Sequence, residues 1–322
     1  METRMLGGMW PVSSLTMGGG GIGQVWGATS RREAVATLRE AVEAGITLID
    51  VAPGYGNGEA EQVVGEAFGG RLPDGVRITT KYHVGHAEPD QAEAAMATAL
   101  NESLRRMRLP LVDLYILHSQ IVPAADPERQ TWTTPLSLYE ETVRDAFENL
   151  VAQGRIGAWG ITAIQFPEVL EGVFTENPVP RAAQMVANVL DAPGDMGWSD
   201  HAASPRELIA RAKEAGVGVM GIRAVQAGAL TDRLDRVVDR DHPAALDFER
   251  AAPFRALAAE LGESAAVLAH RYALSMDGVD TVVLGVKNRT ELHECLRAAE
   301  LGPLSAEAVS LIDERMKPFR AG

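Results

Sequence analysis

The sequence predicts a single (β/α)8 TIM barrel that takes up the whole chain, residues 1–322. Three observations predict it. Eight short runs of β-branched and apolar residues recur along the chain, helical periodicity separates each from the next, and no Pro/Ser-rich linker or abrupt change of composition divides them. A connection from one parallel strand to the next needs a crossover, usually a helix, and eight such units close into a barrel. Hydrophobic residues at 46% and charged residues at 23% are the balance of a folded protein with a sizeable core.

The elements follow in order. The first strand covers 15–19. Ser30, with Glu33 three residues on, has the form of a capping box; Val35, Leu38 and Val42 share one face of the helix it opens, and Gly45 supplies the left-handed stop. The second strand, 47–52, is apolar on both faces, as a buried parallel strand requires. Strands three and four cover 76–81 and 111–118. Ser137 with Glu140 starts a helix that stops at Gly154, and strands five and six follow at 156–162 and 182–187. Ser204-Pro205 with Glu207 starts another helix, stopped at Gly216, before strand seven at 217–222; strand eight is 281–286. Two connections exceed the minimal barrel: polar residues 119–134 after strand four, and an Asp- and Arg-rich stretch from 231 to about 247 after strand seven. Both leave C-terminal strand ends, the face where barrel active sites form, and long loops there are often lids or binding loops.

Charge and cysteine usage exclude several functions. With 30 Lys+Arg against 44 Asp+Glu the formal charge is −14, so no nucleic acid and no anionic membrane is expected as a partner, since both need a basic face. The lone Cys295 excludes an internal disulfide framework and a Cys-based zinc cluster. No apolar run approaches the ~20 residues that span a bilayer. The first nine residues carry one arginine, Arg4, but no continuous apolar stretch, so they do not read as a secretory signal. A cytoplasmic protein is expected.

The glycines Gly18, Gly20 and Gly23 satisfy G-x-G-x-x-G, but that motif binds a dinucleotide only where a helix starts at once, and here the next helix is expected only at about Arg31. Gly19 and Gly20 instead let backbone approach a ligand at the mouth of strand one. The informative pattern is polar residues at successive strand ends: Asp50 closing strand two, Tyr55 five residues on, Lys81 closing strand three and His118 closing strand four. A tyrosine's ordinary pKa of about 10 is too high for easy proton donation near neutrality, and a nearby ammonium lowers it. A lysine in a barrel mouth needs a counter-charge, which Asp50 supplies. A neutral histidine can hydrogen-bond a carbonyl oxygen and fix its direction. This set suits protonating a developing alkoxide while a nicotinamide, which no side chain can replace, delivers hydride. A metal site of His83, His86 and His118 fails, because the first two lie beyond the strand end and no carboxylate cluster completes it.

These residues closely resemble the aldo-keto reductase superfamily. The resemblance rests on Asp50 and Tyr55 within Gly45–Gly56, on Thr80-Lys81 and on Leu117-His118. It continues through 154–162, Gln184, Gly228-Ala229-Leu230-Thr231 and Gly285-Val286-Lys287. It implies NAD(P)-dependent carbonyl reduction or its reverse, with Tyr55 as acid, Lys81 its modulator, Asp50 the lysine's partner and His118 the substrate orienter. It also implies that Thr162 and Gln184 grip the nicotinamide carboxamide, although Ala163 stands where relatives carry an Asn. Ile222 takes the place of a stacking Tyr, and Arg223 becomes a cofactor or substrate contact. Lys287 with the helix N-terminus at Asn288 suits the 2′-phosphate of NADP, whereas Glu291, where many relatives carry Arg, suits a ribose hydroxyl or adenine. The expected cofactor is therefore NADP (NADPH), with NAD as the alternative. The expected partner is a small-molecule carbonyl or sugar substrate, with Trp26, Tyr82 and Trp132 as aromatics placed to line its pocket. The competing function is a cofactor-binding regulatory subunit on the same barrel.

Overall fold

The computed structural model describes residues 1–197, 203–234 and 236–320. Eight strands form a closed barrel: β1 Leu15–Gly18, β2 Leu48–Asp50, β3 Arg77–Tyr82, β4 Val112–Leu117, β5 Ile156–Thr162, β6 Ala182–Val186, β7 Gly218–Ile222 and β8 Thr281–Val283. Every neighbouring pair is parallel, and β8 closes on β1 with Val282 opposite Leu15. The expected strand eight runs three residues too long. The Leu284 N–H makes the last bond to β1, at the Thr16 carbonyl, and Leu284, Gly285 and Val286 then line a cavity instead.

The floor of the barrel was not legible in the sequence. Strands Thr3–Leu6 and Trp10–Ser13 form an antiparallel hairpin, and its Leu6 and Val12 bury completely against Leu48, Leu114, Ile116, Ala158, Ala182 and Met220. Each such side chain contributes about 1.5–3 kcal/mol on burial. The larger core lies between the strands and the outer helices.

Helix starts follow the expected chemistry in part. Ser30 accepts from the Glu33 N–H at 3.2 Å, but the Glu33 carboxylate goes to Arg289, so only half a capping box forms. Ser204 caps nothing: it adopts φ 41°, and the helix Pro205–Glu214 starts on Pro205, whose missing N–H needs no partner there. Helical turns begin at Leu136, ahead of Ser137, and pass through a π turn, Tyr139–Val143, into Arg144–Ala152. The connection after β4 has structure of its own. Gln120–Val122 pairs with Thr133–Pro135, and Ser119 Oγ bonds Thr134 Oγ1 at 2.6 Å. After β7 the loop ends early, because the helix Pro243–Arg250 opens inside the expected stretch with His242 as its cap. Among the described residues no helix is long and apolar enough to cross a membrane.

Candidate active site

Neighbouring strands bring Asp50, Tyr55, Lys81 and His118 to one mouth of the barrel. Asp50 ends β2 in register with Gly18 of β1 and Thr79 of β3. Side chains alternate along a strand, so Thr79 and Lys81 point the same way. Thr79 Oγ1 donates to Asp50 Oδ1 at 2.5 Å, and Lys81 Nζ donates to Asp50 Oδ2 at 2.8 Å. Lys81 Nζ also donates to the Val51 carbonyl at 3.0 Å and to the Tyr55 hydroxyl at 3.3 Å. A turn after β2 holds Tyr55 there, its N–H bonded to the Ala52 carbonyl. His118 is the first residue beyond β4; its N–H bonds the Tyr82 carbonyl, and its ring meets Tyr55 edge-on with centroids 5.7 Å apart.

Burial sets the electrostatics. Lys81 is fully buried and Asp50 nearly so. Burial opposes the ammonium, but Asp50 and then Tyr55 outweigh it and hold Lys81 above the ordinary lysine value. For Tyr55 the order reverses: burial pushes the phenol up, and the downward pull of Lys81 does not overcome it. The expected lowering of the tyrosine is thus present as a force and absent as a net result. Burial, followed by His83 and Lys81, takes His118 well below the ordinary histidine value, so it is neutral near pH 7.

A cavity of about 400 Å³ opens beside these residues and runs to the N-terminus of the helix Arg289–Leu301. Asp50, Tyr55 and His118 line one end. Gly19, Gly20, Thr162, Gln184, Ile222, Arg223, Gly228, Gly285, Lys287 and Glu291 continue its wall. Thr162 and Gln184 sit side by side in the β5–β6 register, and Thr162 Oγ1 and Gln184 Nε2 are buried with no hydrogen-bond partner. An unmet buried polar group costs about 1–3 kcal/mol, so two together facing one cavity point to a polar ligand there.

Other expected contacts fall differently. Leu230 is buried and Asn288 caps its helix, its Oδ1 accepting from the Glu291 N–H at 3.0 Å; neither lines the cavity. The glycines after β1 serve backbone packing first. A one-turn helix, Gly19–Ile22, follows β1 at once, and a Cβ on Gly18 or Gly21 would stand 2.0 or 1.9 Å from the carbonyl oxygens of Leu284 and Val286. Arg223, at φ 65°, ion-pairs with Asp195 and also faces the cavity. At the far end Glu291 holds Lys287 twice, accepting from its N–H and pairing with its Nζ, both at 2.8 Å. His83 stacks on His118.

Sequence reasoning missed the company Trp26 keeps. The guanidiniums of Arg223 and Arg236 lie over its ring, 5.6 and 5.9 Å from its centroid, and its Nε1 rests on Gly20. Also missed was the far wall, where His270 Nδ1 donates to the Ala266 carbonyl and Nε2 faces the Cys295 thiol at 3.5 Å. No local sequence signal marks either arrangement.

The sequence matches the aldo/keto reductase family over residues 14–317. Methylglyoxal reductase YeaE of Escherichia coli is 37% identical over 144 residues, 45% of this chain and 44% of that protein; the match thus spans under half the length of that relative. Among solved structures, the holo form of aldo-keto reductase AKR11C1 from Bacillus halodurans is 25% identical, with a TM-score of 0.72 and coverage of 98% and 96% of the two chains. An aldo-keto reductase from Klebsiella pneumoniae in complex with NADPH is also 25% identical, with a TM-score of 0.68 and coverage of 97% and 94%.

Proposed function

The chain belongs to the aldo/keto reductase family, and from that premise we propose that it is an NADPH-dependent oxidoreductase acting on a CH–OH/C=O pair, with Tyr55 as general acid and base. Its substrate is a small aldehyde, ketone or sugar hemiacetal, and one barrel domain in the cytoplasm carries the reaction. The observation behind this reading is the contact of 3.3 Å between Lys81 Nζ and the Tyr55 hydroxyl, beside a cavity whose next two polar groups lack partners.

The residues present fit a nicotinamide cofactor. Thr162 Oγ1 and Gln184 Nε2 are unpartnered donors suited to a carboxamide, and the missing side chains of Gly20 and Gly285 let the Trp26 indole lie directly against the backbone at the cavity wall. Ile222 packs along the same wall, with Arg223 and Gly228 beside it. Lys287 and the helix N-terminus suit a 2′-phosphate, provided Glu291 releases the ammonium; NAD(H) needs no such release and is the secondary cofactor. Bound, the reduced nicotinamide supplies hydride.

This chain's own residues then manage the proton. Tyr55, pushed up by burial, enters the reaction protonated at neutral pH, the state a reductase needs. It donates to the substrate oxygen as negative charge gathers there. Lys81 stabilises the phenolate left behind, and Asp50 keeps Lys81 charged and aimed. Neutral His118 donates a hydrogen bond to the same oxygen and fixes the carbonyl's direction.

Titration with NADPH and NADH, followed by nicotinamide fluorescence, and NADPH oxidation in the presence of methylglyoxal or an aldose test this reading. Binding with turnover supports it. Binding with no turnover across carbonyl probes favours the regulatory-subunit alternative, and absence of binding overturns both.

A further inference from the structure

His83 lies one residue beyond β3 and has no place in the chemistry above. Its ring stacks on His118, with centroids 4.3 Å apart and planes 26° from parallel. Trp132, from the connection after β4, meets His83 edge-on at 4.7 Å and 80°. With the edge-on contact of His118 and Tyr55, a continuous column of four rings runs from Trp132, 61% exposed, down to the acid.

The column supplies something His118 otherwise lacks. A working imidazole is ordinarily oriented by the hydrogen bond that its other nitrogen makes. Here Nδ1 of His118 is buried with no hydrogen-bond partner, and so is Nδ1 of His83. What fixes the plane of His118 is ring packing: Tyr55 on one side, the face of His83 on another. Burial, with Lys81, takes His83 down to about 4, so both rings are neutral near pH 7 and stack without charge repulsion.

We propose that His83 is a positioning residue that acts through His118, its stacked ring replacing a missing hydrogen bond and Trp132 clamping it from the solvent side. This rests on the reading of His118 as the substrate orienter. Losing such a pair should cost kcat/KM about three- to tenfold, the range that aromatic contacts of this geometry support. Phe, which keeps a flat ring without nitrogen, should restore most of the loss.

The experiment uses the NADPH-bound protein labelled with 13C at the histidine ring, with the His118 signal assigned through His118→Ala. His83→Ala should shift the His118 ring signal and cut kcat/KM for methylglyoxal three- to tenfold. His83→Phe should keep kcat/KM within about twofold, and Trp132→Ala should produce a weaker version of the His83→Ala change. In the His118→Ala background, His83→Ala should cost nothing further, because residues that act through one another are non-additive. An unmoved His118 signal in His83→Ala overturns the proposal, as does an equal, additive loss in the double variant. If the wild-type protein reduces no carbonyl probe, the functional reading fails, and the ring signal still decides whether His83 positions His118.

Discussion

Glu291→Gln is expected to tighten NADP binding, an outcome that follows from where the Glu291 carboxylate sits. Its two oxygens take the Lys287 N–H and Nζ at 2.8 Å each, on the first turn of a helix whose N-terminus would otherwise attract an anion. A 2′-phosphate arriving there meets a cation already neutralised and a negative charge beside it. Removing one unit charge at about 5 Å in an effective dielectric near 20 is worth about 3 kcal/mol by Coulomb's law. Glu291 is about one-third exposed, with 34% of its side-chain surface open, so salt and water screen this toward about 1–2 kcal/mol. That corresponds to about 5- to 30-fold tighter NADP. NAD, which has no phosphate at that position, should change by less than about threefold. Lys287→Ala should do the reverse, weakening NADP by about 10- to 150-fold and hardly touching NAD. Fluorescence titration of both cofactors with wild type and both variants measures all six constants. If either variant moves NADP and NAD together, the 2′-phosphate does not bind at Lys287, and an NAD-preferring enzyme becomes the better account.

Three further outcomes follow from particular contacts. Thr162→Val removes a buried hydroxyl that has no partner, so thermal stability without cofactor should hold or rise, while NADPH binding weakens about five- to tenfold, the worth of one hydrogen bond; unchanged binding would remove Thr162 from the cofactor site. Leu6→Ala opens the barrel floor and should cost about 2–5 kcal/mol in urea unfolding; a loss under about 1 kcal/mol would mean the hairpin is not part of the core. His83, at about 4 when folded, ordinarily titrates near 6.5, so the unfolded chain takes up the proton first. Stability is therefore full above about pH 6.5 and lost as pH falls toward 4, at up to about 1.4 kcal/mol per pH unit from this residue. His83→Phe should flatten that acid slope by the same amount, and an unchanged slope between pH 6.5 and 4 would show that His83 protonates freely in the native state.

How much was legible in the sequence depended on whether the signal was local. All eight barrel strands appear in their expected order, because each is a buried apolar run bracketed by a helix stop or a polar strand end, as at Gly45 and Asp50. The meeting of Asp50, Tyr55, Lys81 and His118 was legible for the same reason: residues at the C-terminal ends of adjacent parallel strands must share one mouth. The hairpin of Thr3–Leu6 and Trp10–Ser13 was not, since nothing local says that Leu6 docks into the barrel from below. Nor was the stack of His83 on His118, which depends on how the chain turns after Tyr82, or the Glu291 carboxylate returning to Lys287. The sign at Tyr55 also escaped: counting charges predicts a lowered phenol, and only the depth of the pocket shows burial to be larger.

The most direct test of the account concerns Tyr55 and its lysine. Tyr55→Phe keeps the ring and removes the hydroxyl that Lys81 Nζ approaches at 3.3 Å. NADPH should bind with a constant within about threefold of wild type, while single-turnover reduction of a carbonyl probe falls by about 10²–10⁴-fold, the range of general acid catalysis. Lys81→Met, in a protein shown to be folded, should slow the reverse oxidation and move its pH optimum upward, because Tyr55 then loses the one strong force that pulls its phenol down. Near-normal turnover in Tyr55→Phe, with cofactor bound, would contradict the assignment of Tyr55 as the proton donor.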